Sequence, residues 1–123
     1  MEKKKILIVD DERTFTDIVK LTLETTGKYE VRAENSGRKG IKTAKDFLPD
    51  IIVLDVIMPD IGGGIVASQL KEDSRTKNIP ILFLTAVVTD PEVDSRGGSI
   101  GGYPFIAKPV GMEKLVQAIE NIL

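Results

Sequence analysis

The chain has no cysteine and no histidine. Lack of cysteine excludes disulfides, thiol catalysis and thiolate metal sites. Lack of histidine excludes most zinc sites, histidine-based catalysis and a phosphohistidine on this chain. Long hydrophobic runs are also missing. Behind Met1-Glu2-Lys3-Lys4-Lys5 the first apolar run ends at Asp10, too soon for a signal-peptide core or a membrane span. Charge of one sign is not in excess: 17 basic against 19 acidic residues give a net charge of −2. With no basic stripe visible, nucleic acid is not an expected partner. Neither G-x-G-x-x-G nor G-x-x-x-x-G-K-[ST] occurs, which speaks against a flavin- or nucleotide-binding α/β domain. There is no low-complexity tail and no internal linker.

What is present is ordinary in bulk. The 123 residues are 41% hydrophobic and 29% charged, enough for one core. The expectation is one soluble cytoplasmic domain over residues 1–123.

The informative stretch is Ile51-Ile52-Val53-Leu54-Asp55, followed by Met58-Pro59 and Gly62-Gly63-Gly64. A short apolar run bounded by turn signals reads as a strand buried on both faces. Asp55 then sits where the strand leaves the sheet. Alone, it reads equally as a turn or helix-cap aspartate. Ile6-Leu7-Ile8-Val9 is a second such run, ending in Asp10, Asp11 and Glu12. Phe15, Ile18, Val19 and Leu23 recur at helical spacing, with Gly27 as a stop. Tyr29, Val31 and Ala33 alternate with charged residues, the pattern of a half-exposed strand nearer an edge. Asn35-Ser36-Gly37 is a turn. Ile41, Ala44 and Phe47-Leu48 form a short helix ended by Pro49. Ile65, Val66, Gln69 and Leu70 suggest a third helix with a soft, glycine-rich start. Ile81-Leu82-Phe83-Leu84 is a buried strand ending at Thr85, and Phe105-Ile106-Ala107 is a short one leading to Lys108-Pro109. Met112, Leu115, Val116, Ile119 and Ile122 form the cleanest helical stripe.

This alternation predicts an α/β fold with a parallel sheet, helices on both faces and right-handed crossovers. One stretch departs from it. Between Thr85 and Phe105 a fourth helix is due, yet residues 89–104 carry four glycines and two prolines and almost no amphipathic pattern. A short, distorted or mobile segment is expected there, with one turn near residues 91–95.

Parallel strands bring all their C-termini to one rim. In the doubly wound order 2-1-3-4-5, the first and third strands flank the switch point where ligands bind. Asp10 and Asp11 therefore fall beside Asp55, with Thr85 and Lys108 along the same rim. Three converging carboxylates repel unless a cation intervenes. An all-oxygen donor set suits a hard divalent ion, Mg2+ above others. A hydroxyl and an ammonium opposite suit phosphoryl oxygens. The set describes phosphoryl transfer to a carboxylate nucleophile. Singly, each member has a plainer reading: Asp10-Asp11 as a helix cap, Thr85 as a hydroxyl bonded to backbone, Lys108 as a solvated loop lysine.

The chain closely resembles the receiver domain of two-component response regulators along its whole length. Ile6-Leu7-Ile8-Val9-Asp10-Asp11-Glu12, Val53-Leu54-Asp55-Val56-Ile57-Met58-Pro59-Asp60, Leu84-Thr85-Ala86 and Phe105-Ile106-Ala107-Lys108-Pro109 carry the resemblance. It implies a flavodoxin-like fold of five parallel strands. It implies Asp55 as phosphoacceptor from a histidine kinase or phosphotransfer protein. Mg2+ is implied on Asp11 and Asp55 directly, on Asp10 through water, and on the Ile57 backbone carbonyl. Lys108 is implied to bind a phosphoryl oxygen, with a cis peptide to Pro109. Thr85 and Phe105 are implied as a coupled switch, although Phe105 reads equally as a core aromatic. The chain is expected to assist its own phosphorylation and dephosphorylation only, and is not otherwise an enzyme. With no DNA-binding or enzymatic segment after Leu123, contact with a downstream protein is the expected output. The alternative is a pseudo-receiver that keeps the fold and binds partners without phosphorylation.

Two departures from the family pattern stand out. The acidic residue usual before the glycine after Met-Pro-Asp is missing, since Asp60 is followed by Ile61-Gly62. The glycine-rich Gly97–Gly102 segment falls near the fourth helix, where many members present a signalling face, so a conventional output surface is not expected. Ile57 and Val87, two residues past Asp55 and Thr85, are both apolar and β-branched. Neither can hydrogen-bond an attacking water, so slow self-dephosphorylation is expected.

Overall fold

A computed structural model describes residues 2–86, 99–100, 103–108 and 110–123, with 99–100 described as backbone only. The expectation about residues 89–104 therefore falls largely outside the described residues, as do Val87 and the peptide to Pro109.

The strands are β1 (Lys4–Val9), β2 (Tyr29–Glu34), β3 (Ile51–Asp55), β4 (Ile81–Thr85), β5 (Ser99–Ile100) and β6 (Tyr103–Ala107). The described helices are α1 (Arg13–Thr25), α2 (Gly37–Phe47), α3 (Gly63–Glu72) and α4 (Met112–Ile122). The sheet order is β2-β1-β3-β4-β6-β5. Its five parallel strands run in the order expected from the sequence. The two-residue β5 is added antiparallel on the outside of β6, pairing Ile100 with Tyr103.

Alternate residues of each strand feed two separate cores. Ile6, Ile8, Ile51, Val53, Leu82 and Leu84 meet α1 and α4 through Val19, Leu23, Leu115 and Ile119. Leu7, Val9, Ile52, Leu54 and Phe83 meet α2 and α3 through Ile41, Ala44, Val66 and Leu70. This two-sided burial is why the three central strands read as unbroken apolar runs. β2 lies at the edge, with exposed Glu30 and Arg32 alternating with buried Tyr29 and Val31. Those charges blunt an otherwise pairable strand.

Helix ends follow local chemistry. Ser36 caps α2 by accepting from the Lys39 N–H. Leu48 closes α2 in the left-handed region at φ 51°, before Pro49 stops it. Gly27, at φ 78°, follows the end of α1. Four residues of the expected stripes stay out of the core: Ile18, Leu48 and Ile65 are about half exposed, and Gln69 is exposed too. The buried line of α3 is instead Gly63, Val66, Ala67 and Leu70.

The glycine start of α3 is a close passage as much as a soft start. The Gly63 N–H donates to the Val56 carbonyl at 2.7 Å. A side chain at Gly63 would overlap the backbone carbonyl of Asp55. The helix can begin directly under the end of β3 only with glycine there.

Candidate functional site

Strand register delivers the site. Val9 pairs with Leu54, so the next residues, Asp10 and Asp55, emerge side by side. Thr85 pairs with Ala107, so Lys108 emerges one step beyond Thr85, and its N–H donates to the Thr85 carbonyl at 2.8 Å. All the strand-end residues singled out in the sequence thus reach one rim.

Asp10 is fully buried, Asp55 is 6% exposed and Thr85 1%. Asp11 is exposed beside them. One carboxylate oxygen from each of Asp10, Asp11 and Asp55 lies within 4.8 Å of the others. A cleft of about 300 Å³ opens over them, lined by Asp11, Glu12, Asp55, Ile57, Ala86 and Lys108. Ile57 stands at its mouth, more than half exposed, and its N–H donates to Asp55 Oδ1 at 3.4 Å.

The helix-cap reading of Asp10 and Asp11 is corrected. The cap position of α1 is Glu12, with no side-chain cap bond. Asp10 Oδ1 instead accepts the Glu12 N–H at 2.9 Å, closing the tight turn out of β1. The solvated-loop reading of Lys108 is corrected too. Its side chain is only 13% exposed, and Nζ lies 2.5 Å from Asp10 Oδ2, 3.1 Å from Glu12 Oε1 and 3.7 Å from Asp55 Oδ2. Its Nζ also stands 5.0 Å from the centre of the Phe15 ring.

Protonation follows from this packing. Burial pushes the Asp55 carboxyl up to about 6; the Asp10 charge adds to the rise and Lys108 opposes it. Burial also raises Asp10, against the pull of its Lys108 bond. Burial disfavours the Lys108 ammonium, yet its bond to Asp10 and the surrounding acids outweigh this and raise its pKa. Lys108 therefore stays charged and serves as the counter-ion of the cluster.

The donor set passes the test for a hard divalent ion. It is all oxygen, it converges, and two of its three carboxylates are buried where uncompensated charge is costly. Phe105 is half-buried against the core facing α2 and α3 and pairs in register with Phe83.

Residues 6–120 match the profile of the response regulator receiver domain. The chain belongs to that family. It is 36% identical over 122 residues to protein PilH of Pseudomonas aeruginosa, covering 97% of each chain. It is 34% identical over 119 residues to the DNA-binding dual master transcriptional regulator RpaA of Synechocystis, covering 97% of this chain and 48% of that protein. The chain thus spans about half the length of that transcriptional regulator. The solved structure of the Vibrio cholerae chemotaxis protein CheY4 superposes with a TM-score of 0.85 at 32% identity, over 99% of this chain and 100% of that one. This is a receiver domain of two-component systems with a CheY-like fold. The pseudo-receiver alternative gains no support. Among the described residues, no helix is long and apolar enough to cross a membrane.

Sequence reasoning missed three contributors. Glu12 is a direct partner of Lys108, Asn35 bonds to the Asp10 backbone, and Asp60 ties the β3–α3 loop to α2. Only Glu12 carried a signal, as a third acid after β1.

Proposed function

We propose that this receiver accepts a phosphoryl group on Asp55 with Mg2+ bound, from a phosphohistidine on a kinase or phosphotransfer protein. The observation that supports this most is one buried carboxylate, Asp55, set between an oxygen-donor cluster and a charged lysine at the base of an open cleft. Asp10, Asp11 and Asp55 would hold the ion, joined by the Ile57 backbone carbonyl. When bound, Mg2+ supplies positive charge that offsets the repulsion among the carboxylates and the incoming phosphoryl oxygens.

An Asp55 carboxylate oxygen attacks phosphorus and forms the new P–O bond. The P–N bond of the donor breaks, its electron pair stays on the imidazole, and that ring takes a proton from solvent. Lys108 moves from the carboxylates to a phosphoryl oxygen, as a mobile point charge. The Thr85 hydroxyl donates to another phosphoryl oxygen. Phe105 follows it inward, so phosphorylation selects a conformation that a downstream protein reads. The chain assists its own phosphorylation and dephosphorylation only, and acts in the cytoplasm.

Beryllofluoride, a phosphoryl mimic, tests both the site and the switch. With Mg2+ it shifts the NMR resonances of Thr85, Phe105 and Lys108 in the wild type and leaves Asp55→Asn unchanged. Equal shifts in both proteins, or none in either, contradict the proposal.

A further inference from the structure

The turn between β2 and α2 holds both acidic loops at once. Asn35 Nδ2 donates to the backbone carbonyl of Asp10 at 2.8 Å and to Thr16 Oγ1 at 3.0 Å. These bonds fix the loop that carries Asp10 and Asp11. The next three residues hold the other loop. Ser36 Oγ donates to Asp60 Oδ2 at 2.8 Å, the Gly37 N–H to Asp60 Oδ1 at 3.0 Å, and the Arg38 N–H to Asp60 Oδ2 at 3.0 Å. Asp60 lies on the loop that begins at Asp55.

Asp60 caps two further N–H groups of α2, those of Gly37 and Arg38, and it does so from a different loop. The first turn of α2 already has its own cap in Ser36, which accepts from Lys39 at 3.3 Å. An acid reaching across from another loop adds a tie between elements. The tie has little slack, because a Cβ on Gly37 would stand 2.7 Å from Ile61 Cγ1. The backbone N–H groups of Arg38 and Gly37 hold the Asp60 carboxyl well below the usual range, so the tie stays charged at neutral pH.

We propose that Asn35-Ser36-Gly37 is a clamp that sets the spacing of the two acidic loops, and that Asn35 and Asp60 are positioning residues for the divalent cation. A cation held by carboxylates from two loops is sensitive to their separation. Partners that orient ligands typically change metal affinity by about 10- to 100-fold when removed. This inference rests on the Mg2+ reading above.

Two readouts on the whole chain test it. The first is amide hydrogen exchange without metal. Asn35→Ala speeds exchange at residues 56–61, which it does not touch, and Asp60→Ala speeds exchange at residues 11–13. The second is Mg2+ affinity by calorimetry, which falls about tenfold in each variant. Ile119→Val, on the buried face of α4, lowers the melting temperature and leaves Mg2+ affinity unchanged. Asp60→Asn replaces Asp60→Ala if the latter fails to fold. Exchange changes confined to the loop that each residue touches, or wild-type Mg2+ affinity in both variants, overturn the clamp. A wild type that binds no Mg2+ contradicts the magnesium reading instead, and the crossed exchange effects still decide whether the turn couples the loops.

Discussion

Lys108 Nζ lies 2.5 Å from Asp10 Oδ2, joining a lysine after β6 to a carboxylate after β1, 98 residues earlier in the chain. Asp10 is fully buried and Lys108 nearly so. Removing one partner of such a pair leaves the other charge uncompensated, which is the costly direction. Lys108→Met keeps the stem of the side chain and loses the charge. In a metal chelator it is expected to destabilise the protein by about 2–4 kcal/mol. Added Mg2+ should then raise the melting temperature more than it does for the wild type, because the ion takes over the role of counter-charge. Equal Mg2+ stabilisation of both proteins would show that Lys108 and the cation do not share the cluster.

The pH dependence has a definite sign. The folded pKa of Asp55, about 6, lies above its unfolded value near 4. Between those values the folded state binds a proton that the unfolded state has released. The Asp55 contribution to metal-free stability is therefore full below about pH 4, and is lost as pH rises through 6. Asp55→Asn should flatten this part of the stability profile. Mg2+ needs the carboxylate form, so its apparent affinity should fall as pH drops through about 6. Calorimetric titrations between pH 5 and 8 check this; an affinity that does not change over that range contradicts it.

Ile57 exposes more than half its surface at the mouth of the Asp55 cleft. An apolar, β-branched side chain there neither orients nor deprotonates a water. Ile57→Asn adds a group able to hold one, and should shorten the lifetime of the phosphorylated form several-fold, of the lower order expected for positioning a nucleophile. Loss of the phosphoryl adduct over time, followed by intact mass, measures it. An unchanged hydrolysis rate removes Ile57 from the control of lifetime.

Gly63 is a structural test of the loop beneath Asp55. Its missing Cβ makes room for the Asp55 carbonyl. Gly63→Ala should destabilise by about 1–3 kcal/mol, the usual cost of forcing extra volume into a packed site. Gly64, where nothing lies within 4 Å of an added Cβ, is the control. Gly64→Ala should be neutral or slightly stabilising, through better helix propensity. Equal effects at both positions would place the cost in the helix rather than under Asp55.

The sheet was legible because its three central strands are buried on both faces, which leaves unbroken apolar runs with no competing helical period. The rim was legible for a related reason. In a parallel sheet, the residue after each run must appear at the same edge, so Asp10, Asp55, Thr85 and Lys108 could be gathered from strand ends alone. Side-chain pairing was not legible. Nothing in the local pattern around Lys108 says that it folds back onto Asp10 and Glu12 rather than into solvent. Asn35 read as a turn residue and Asp60 only as the end of the Met58-Pro59-Asp60 motif; their partners lie 25 and 23 residues away in sequence. Glycine at 63 read as softness, because close approach of another backbone leaves no trace in composition. Ile18 and Ile65 fit their helical stripes by spacing, yet sit beyond the edge of the buried face, where periodicity alone does not set the boundary.

The most direct test of the site is the intact mass of the protein after incubation with acetyl phosphate, with and without Mg2+, beside Asp55→Asn. One added phosphoryl group that requires Mg2+ and is absent from the variant is the expected result. A folded wild type that binds Mg2+ and gains no mass, or an adduct that persists in Asp55→Asn, contradicts the assignment of Asp55 as the phosphoacceptor.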